Sequence, residues 1–240
     1  MKRKALLFGN TTAAGAQNDL LNWVYFLKSG RGGVWWDSEI QILSNPSKAY
    51  LQAWLKIIKD GGYDFVLVAY AGHGGWIRST ILEINPNGET IDEVDLKGLA
   101  PREILALDCC RGTGAASQIV DEALEKSFSA DTYSNIRARY DSRMMKALTQ
   151  QVTLYACSIG ESAYCTNDGG YYTKNLLRQS AATSANLFVT INQAHYNAAI
   201  ETRNEVLTKE KRIQNPDIAC VRCLTDQQLI IGIDTSVFRI

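Results

Sequence analysis

The feature that most constrains the fold is a series of short apolar runs that recur between longer helical patterns. Most positions of these runs are apolar, without strict alternation, which is typical of strands buried on both faces of a parallel sheet covered by helices. The runs are Ala5–Phe8, Ile40–Leu43, Phe65–Tyr70, Ile104–Leu107, Val152–Ala156, Leu187–Ile191 and a weaker Leu229–Ile233.

The segments between the runs have apolar residues at helical spacing. Helices are predicted near Asn18–Leu27, Lys48–Lys59, Ser117–Lys126, Ser134–Leu148, Tyr171–Ala182 and His195–Lys211. Strands that alternate with such helices predict a doubly wound α/β domain. The most polar stretch, about 113–146, is expected to insert a mobile segment between two halves of one sheet.

Composition narrows the class of protein further. The 240 residues suit one α/β domain, and 25 basic against 25 acidic residues give no net charge, which disfavours nucleic acid and anionic membranes as partners. No apolar run is long enough to span a membrane, and the one in MKRKALLFGN is too short for a signal peptide. Six cysteines are too few for a disulfide scaffold. We therefore expect a soluble, cytoplasmic protein with reduced thiols.

The ends of two apolar runs carry residues suited to nucleophilic catalysis. His73 lies in AGHGG after Phe65–Tyr70, and Cys109 and Cys110 lie in DCCRG after Ile104–Leu107. Ligands bind at the carboxyl ends of parallel strands, so a cysteine nucleophile and a histidine base are predicted to meet there. This reasoning leaves open whether His73 or His195 is the base. It also leaves open which of the two cysteines is the nucleophile.

Several of these motifs together resemble the caspase and metacaspase clan of cysteine peptidases. YAGHGG and DCCRG are similar to the clan's histidine and cysteine motifs, the latter combining a metacaspase-type Asp with a caspase-type Cys-Arg-Gly. Lys4–Gly9 resembles the opening strand, and Gln17-Asn18-Asp19 resembles the start of the first helix. The stretch 156–177 resembles the clan's third strand, Glu-Ser-Ala turn and helix entry.

The resemblance implies a caspase-like (caspase–hemoglobinase) fold, with a mostly parallel six-stranded sheet flanked by helices. It implies one peptidase domain over residues 1–240. Within it, about 1–125 is similar to a large subunit and holds the dyad, about 126–150 to an intersubunit loop, and about 151–240 to a small subunit.

The resemblance also assigns roles at the predicted site. It makes Cys110 the nucleophile, His73 the base, and Cys109 a packing residue. The backbone N–H groups of Gly74 and Cys110 are implied to form the oxyanion hole.

Specificity follows from the positions that line the first substrate pocket in the clan. Asp108 stands where caspases have glutamine, and Asp19 stands where they have arginine. Two carboxylates would attract arginine or lysine at P1, the residue before the scissile bond. Ala16 and Ala71 replace more polar residues of the metacaspase pocket. The expected substrates are proteins or peptides cut after Arg or Lys.

No metal or other cofactor is predicted, with calcium as the alternative that the resemblance raises. Many metacaspases need calcium, but Glu83–Asp95 is only moderately acidic and is predicted to be a solvated loop. The pair Cys220 and Cys223 lacks the second pair that a structural zinc needs. Trp35-Trp36 is predicted to pack in the core, with a partner surface as the alternative.

The resemblance suggests a gated effector of stress, cell death or antiviral defence. A chain this short leaves little room for a regulatory domain, so the expected activator is an ion, a small ligand, a partner protein or self-cleavage. The candidate self-cleavage sites are Lys126, Arg137, Arg139, Arg143 and Lys146. The alternative is a non-catalytic, caspase-like binding module. An amidotransferase using Cys110 and His195 is disfavoured because Asp108 and Asn197 replace the glycine and glutamate it needs.

Overall fold

The computed structural model describes residues 1–112, 129–181 and 186–238 and contains a central six-stranded sheet between two layers. The first seven strands are β1 (Arg3–Gly9), β2 (Ile40–Ser44), β3 (Phe65–Ala71), β4 (Gly74–Trp76), β5 (Thr80–Glu83), β6 (Thr90–Asp92) and β7 (Arg102–Asp108). The later strands are β8 (Gln150–Tyr155), β9 (Cys165–Thr166), β10 (Gly169–Gly170), β11 (Phe188–Thr190), β12 (Asp217–Ala219) and β13 (Ile230–Ile233).

The central sheet has the strand order β12-β8-β7-β3-β1-β2. Five of its six strands are parallel to one another: β1, β2, β3, β7 and β8. The sixth strand, β12, pairs with β8 and runs antiparallel to it. The carboxyl ends of β1, β3 and β7 therefore lie side by side. The predicted α/β fold with a mostly parallel six-stranded sheet is confirmed.

Two of the seven apolar runs were assigned to the wrong sheet. Leu187–Ile191 and Leu229–Ile233 contain β11 and β13, which pair with each other in a separate antiparallel ribbon. The sixth strand of the central sheet is instead β12, which the sequence did not reveal. It has only three residues at an edge, two of them exposed, so it carries no apolar run.

Five helices in the described residues correspond to predicted ones: α1 (Ala16–Lys28), α2 (Lys48–Asp60), α3 (Ala130–Lys146), α4 (Tyr171–Ser180) and α5 (Ile191–Lys209). The predicted helix at 117–126 lies outside the described residues. Ser47, Ser129 and Thr190 cap α2, α3 and α5, each with a side chain that accepts a backbone N–H. None of the helices in the described ranges is both long and apolar enough to cross a membrane.

The helices divide between the two faces of the sheet. Residues of α1, α3, α4 and α5 form one apolar core with the sheet, which we call the large-core face. The other face is covered by α2 and by the small antiparallel sheet of β4, β5 and β6. The core in which a strand-end side chain packs therefore shows which face of the sheet that side chain lies on.

Helix α3 occupies most of the segment that the resemblance marks as an intersubunit-like loop. Buried Arg3 of β1 donates to Asp141 of α3 at 2.9 Å, and Arg137 donates to Glu39 at 2.8 Å. Arg143 donates to the Gln228 carbonyl at 3.1 Å. Proteases act on exposed, extended chain, so cleavage at these arginines would require α3 to unwind. Self-cleavage stays a prediction, and Lys126 lies outside the described residues.

The two adjacent tryptophans have different environments. Trp35 is buried, packs on Phe65, and lies under the guanidinium of Arg3 at 4.4 Å. Trp36 is 59% exposed and contacts Arg137 at 3.8 Å. Core packing is therefore confirmed for Trp35 only. Trp36 lies before β2, at the amino ends of the parallel strands.

Glu103 of β7 makes stability depend on pH. Its side chain is buried, one oxygen accepts the Leu99 N–H at 3.0 Å, and the other has no hydrogen-bond partner. Burial raises the pKa of Glu103 to about 7. Because this pKa exceeds the ordinary value of 4.5, proton binding to Glu103 stabilises the folded state. The full stabilisation is present below pH 4.5 and is lost as the pH rises through about 7.

We expect Glu103→Gln to remove this dependence. Relative to the variant, the wild type should lose roughly 2 to 3 kcal/mol of unfolding free energy between pH 5 and pH 8. Urea unfolding at both pH values measures the difference, with Glu201→Gln on α5 as the control. An equal change in wild type and Glu103→Gln would contradict the assignment.

Candidate active site

The site lies at the carboxyl ends of β3 and β7. In the parallel register of these strands Ala71 lies opposite Asp108, and the Gly72 N–H donates to the Asp108 carbonyl at 3.2 Å. His73 and Cys110 each follow this pair by two residues. The register thus brings the predicted base and nucleophile to the same edge of the sheet.

The backbone at His73 is held by two donors. The Tyr70 hydroxyl donates to the His73 carbonyl at 2.6 Å, and the Glu83 N–H donates to it at 3.0 Å. The imidazole itself is exposed. Among the described residues, no carboxylate is hydrogen-bonded to the ring.

Gly74 lets the two strand ends come into close contact. A Cβ at this position would lie 2.7 Å from the Cys109 Sγ and 3.0 Å from the Cys110 carbonyl oxygen. Real Cβ atoms do not approach this closely, so the position requires glycine. The backbone amide after His73 is thereby brought against the cysteine pair, as an oxyanion hole formed by Gly74 and Cys110 would need.

The two cysteines belong to opposite faces of the sheet. Cys109 is buried in the core beneath α2, and burial raises the pKa of its thiol well above the ordinary value. Cys110 is half-buried and packs against the large-core face. Burial also raises the pKa of Cys157 and of Cys165 to about 12. Cys109, Cys157 and Cys165 are therefore neutral thiols at neutral pH.

A loop after β8 lies against the Cys110 side chain. The Cys110 thiol is 3.6 Å from the Ala163 carbonyl oxygen and donates towards it. The loop is fixed by the Arg111 N–H, which donates to the Glu161 carbonyl at 2.9 Å. The Glu161 carboxylate accepts the Asn215 backbone N–H at 2.7 Å. The Glu-Ser-Ala turn of the sequence thus lies beneath the predicted nucleophile, Cys110.

Asp19 and Asp108 converge on the start of α4, although they are far apart in the chain. Both carboxylate oxygens of Asp19 accept the Gly170 N–H at 2.9 Å. Asp108 accepts the Thr173 hydroxyl at 2.6 Å and its N–H at 3.1 Å. A Cβ on Gly170 would overlap the Asp108 carboxylate, so this glycine makes the approach possible. The two aspartates together cap α4.

Burial and mutual repulsion act on the protonation of this pair. Only 3% of Asp19 and 9% of Asp108 are exposed. Burial, and then the Asp108 carboxylate, raise the pKa of Asp19 well above its ordinary value. Burial also raises the pKa of Asp108, against the opposing effect of its Thr173 hydrogen bonds and of Lys174. The two carboxyls titrate together and hold a proton more readily than isolated aspartates do.

The two alanines predicted for the pocket lie on the same face as the aspartates. Ala16 begins α1, and Ala71 pairs in register with Asp108. Both alanines are buried in the large-core face. Cys110 also packs there, so the four predicted pocket positions and the predicted nucleophile share one face of the sheet.

The environment of His195 does not suit a catalytic base. It is buried in α5, and its Nδ1 is 2.8 Å from the Tyr172 hydroxyl. Burial lowers its pKa to about 4, so the ring is neutral at neutral pH. The hydrogen bond with Tyr172 gives His195 a structural role, which favours His73 as the base.

The acidic side chains of Glu83–Asp95 do not converge on one point. Glu83 accepts from Asn10, Glu89 from Asn85, Asp92 from Ser79, and Glu93 from Lys97. Calcium takes six to eight oxygen ligands around one ion, which this scattered set does not supply. Across the described ranges, no group of three or more acidic, histidine or cysteine side chains could hold a metal ion. Cys220 and Cys223 are both free thiols.

Two supporting residues of the site were missed by sequence reasoning. Buried Arg111 stacks on Tyr155 at 3.9 Å and contacts Asp217 at the same distance. Fully buried Gln214 donates to the Ala156 carbonyl at 2.8 Å and accepts the Tyr164 N–H at 2.9 Å. Arg111 was seen only as part of DCCRG, and nothing in the sequence distinguishes Gln214 from a surface residue.

Comparison with known proteins places this chain in a family. A family model described as "Caspase domain" matches residues 2–227. None of the curated proteins matches the chain significantly.

Two solved structures are similar in fold. Caspase-1 from Spodoptera frugiperda is 14% identical, with a TM-score of 0.61 over 98% of this chain and 91% of that one. A protein from Geobacter sulfurreducens is 13% identical, with a TM-score of 0.56 over 95% of this chain and 97% of that one. Because the family model spans nearly the whole sequence, the chain belongs to the caspase domain family of cysteine peptidases.

Proposed function

We propose that this protein is a cysteine endopeptidase that hydrolyses protein substrates after arginine or lysine through a Cys110/His73 dyad. The observation that carries the proposal is the convergence of Asp19 and Asp108 at Gly170, on the face of the sheet that Cys110 joins. A nucleophile beside a paired acidic site is the arrangement that cleavage after a basic residue requires.

The chemistry follows from the two strand ends. His73 takes the proton of the Cys110 thiol, and the thiolate attacks the carbonyl carbon of the P1 residue. The N–H groups of Gly74 and Cys110 stabilise the oxyanion that forms. His73 then gives its proton to the leaving amine as the C–N bond breaks. Water, deprotonated by His73, hydrolyses the thioester and releases the thiol.

The acidic pair supplies the specificity. A P1 guanidinium would place a positive charge against the carboxyl groups of Asp19 and Asp108. An aspartate at P1 would add a third carboxylate to a buried pair, which is strongly unfavourable. The pair is almost completely covered, so a substrate must open the approach to it.

This closure supports the further proposal that the enzyme is gated. The activator would be an ion, a small ligand, a partner protein or self-cleavage, in a stress, cell-death or antiviral role. Calcium is the weakest of these candidates, since the acidic side chains of Glu83–Asp95 do not form a common set of ligands.

Fluorogenic peptides ending in Arg, Lys or Asp test the proposal, each assayed in reductant with calcium or with chelator. We expect Arg and Lys peptides to be cleaved and Asp peptides to be resistant. Preference for Asp would overturn the pocket assignment. Absence of turnover under every condition would favour the non-catalytic binding module.

A further inference from the structure

The loop that faces Cys110 is held by two residues of the segment between α5 and β12. This loop comprises residues 157–163, which form neither helix nor strand. Its Ala163 carbonyl accepts from the Cys110 thiol at 3.6 Å. Because the loop belongs to no helix or strand, its position depends on the side chains that satisfy its polar groups.

Gln214 joins the residues on either side of the loop. Its side chain is fully buried, donates to the Ala156 carbonyl at 2.8 Å and accepts the Tyr164 N–H at 2.9 Å. Ala156 is itself fixed to the sheet, because its N–H donates to the Leu107 carbonyl of β7 at 3.0 Å. The amide of Gln214 therefore sets the distance between a fixed point of the sheet and the far end of the loop.

Asn215 holds the middle of the loop. Its backbone and side-chain N–H groups donate to the two oxygens of the Glu161 carboxylate at 2.7 and 2.6 Å. Its carbonyl accepts the Ser158 hydroxyl at 2.9 Å. Arg203 of α5 donates to the Asn215 side-chain oxygen at 2.8 Å. Two consecutive residues thus hold the loop at its middle and at both ends.

Tyr164 connects the loop to the acidic pair. Its carbonyl accepts the N–H of Tyr171, the first residue of α4, at 3.1 Å. Tyr171 follows Gly170, whose N–H binds the acidic pair. The residue before Tyr164 contacts Cys110. One stretch of backbone therefore spans from the proposed nucleophile to the proposed P1 pocket, and Gln214 holds that stretch at Tyr164.

From these contacts we infer that Gln214 is a positioning residue, which keeps the scissile carbonyl of a substrate bound in the acidic pocket in line with the Cys110 thiol. The inference deepens the proposed function and rests on it. Loss of the two hydrogen bonds of Gln214 should leave the pocket and the dyad intact but displace one relative to the other. A displacement of about 1 Å can slow a reaction roughly 10²-fold. The change should therefore appear in kcat and not in KM.

The test replaces Gln214 by methionine, which keeps the length and unbranched shape of the side chain but loses both hydrogen bonds. We expect kcat for an Arg-aminomethylcoumarin peptide to fall roughly 10- to 100-fold, with KM within roughly threefold of the wild-type value. The rate at which iodoacetamide labels Cys110, followed by mass spectrometry, should stay the same, because this small reagent does not use the pocket. Asn215→Ala, at a half-buried position, should show the same pattern and carries the test if Gln214→Met does not fold.

Gln150→Met is the matched control. Gln150 is also buried and donates to the Gln227 carbonyl at 2.8 Å, but it lies at the amino end of β8, at the opposite end of the strand from the site. Its replacement should lower stability in urea, because a buried carbonyl loses its donor, and should leave kcat unchanged.

The remaining outcomes separate the inference from the proposed function. A folded Gln214→Met with wild-type kcat would overturn the inference and leave the proposed function standing. An equal loss of kcat and of Cys110 labelling would show that the thiol itself is altered, which also contradicts a positioning role. A wild type that is labelled by iodoacetamide but cleaves no arginine peptide would overturn both.

Discussion

Replacing Cys110 by alanine is expected to lower the hydrolysis of arginine peptides by roughly 10³-fold or more, because the covalent step loses its nucleophile. Cys109→Ala should retain cleavage, since its sulfur lies in the core beneath α2. The measurement is kcat/KM for an Arg-aminomethylcoumarin peptide, with urea unfolding of each variant to show that it is folded.

His73→Ala should match the loss in Cys110→Ala, and the double variant should lose no more than either alone, because the two residues act as one unit. His195→Gln is the control for the second histidine and should remain active. Mass spectrometry after treatment with a peptidyl chloromethyl ketone should find the label on Cys110. Label on Cys109, or activity in Cys110→Ala, would show that the other cysteine is the nucleophile.

The largest change of specificity is expected from the acidic pair. Asp108→Asn keeps an oxygen that can accept from Thr173, so the cap on α4 survives while the charge is removed. We expect kcat/KM for arginine peptides to fall roughly 10²-fold, the usual cost of breaking a buried charge pair. Asp19→Asn should act in the same direction, because its partner Gly170 N–H needs only one acceptor.

Proton release distinguishes the pair from a merely structural cap. The raised pKa values mean that the empty pair keeps a proton to a higher pH than isolated aspartates would. A bound guanidinium lowers those pKa values, so binding releases the proton and affinity rises with pH until the empty pair is ionised. Calorimetry of an arginine aldehyde inhibitor in buffers of different ionisation enthalpy measures this release.

The controls separate charge from folding. Asp95→Asn, an exposed aspartate, should change neither specificity nor proton release. Asp108→Asn should abolish the release attributed to the pair. If Asp108→Asn stays folded and cleaves arginine peptides as the wild type does, the carboxylates serve only to cap α4, and the specificity must come from elsewhere.

Most of the central sheet could be predicted because its strands appear in the sequence as local apolar runs. Five apolar runs became parallel strands, and four of them, β1, β3, β7 and β8, are buried on both faces and so are mostly apolar. The same signal failed for β11 and β13, which are as apolar but pair with each other. It missed β12, where three residues at an edge bury little. Apolar character reports burial and says nothing about which strand is the partner.

Within the site, the sequence by itself determined that a histidine and a cysteine follow two buried strands, and the motifs around them indicated the family. Only the tertiary structure separated Cys109 from Cys110 by face and brought Asp19 to Asp108. Local patterns follow from the backbone geometry of neighbouring residues. Contacts between distant residues depend on strand register and on glycines such as Gly74 and Gly170, whose missing side chains let two segments meet.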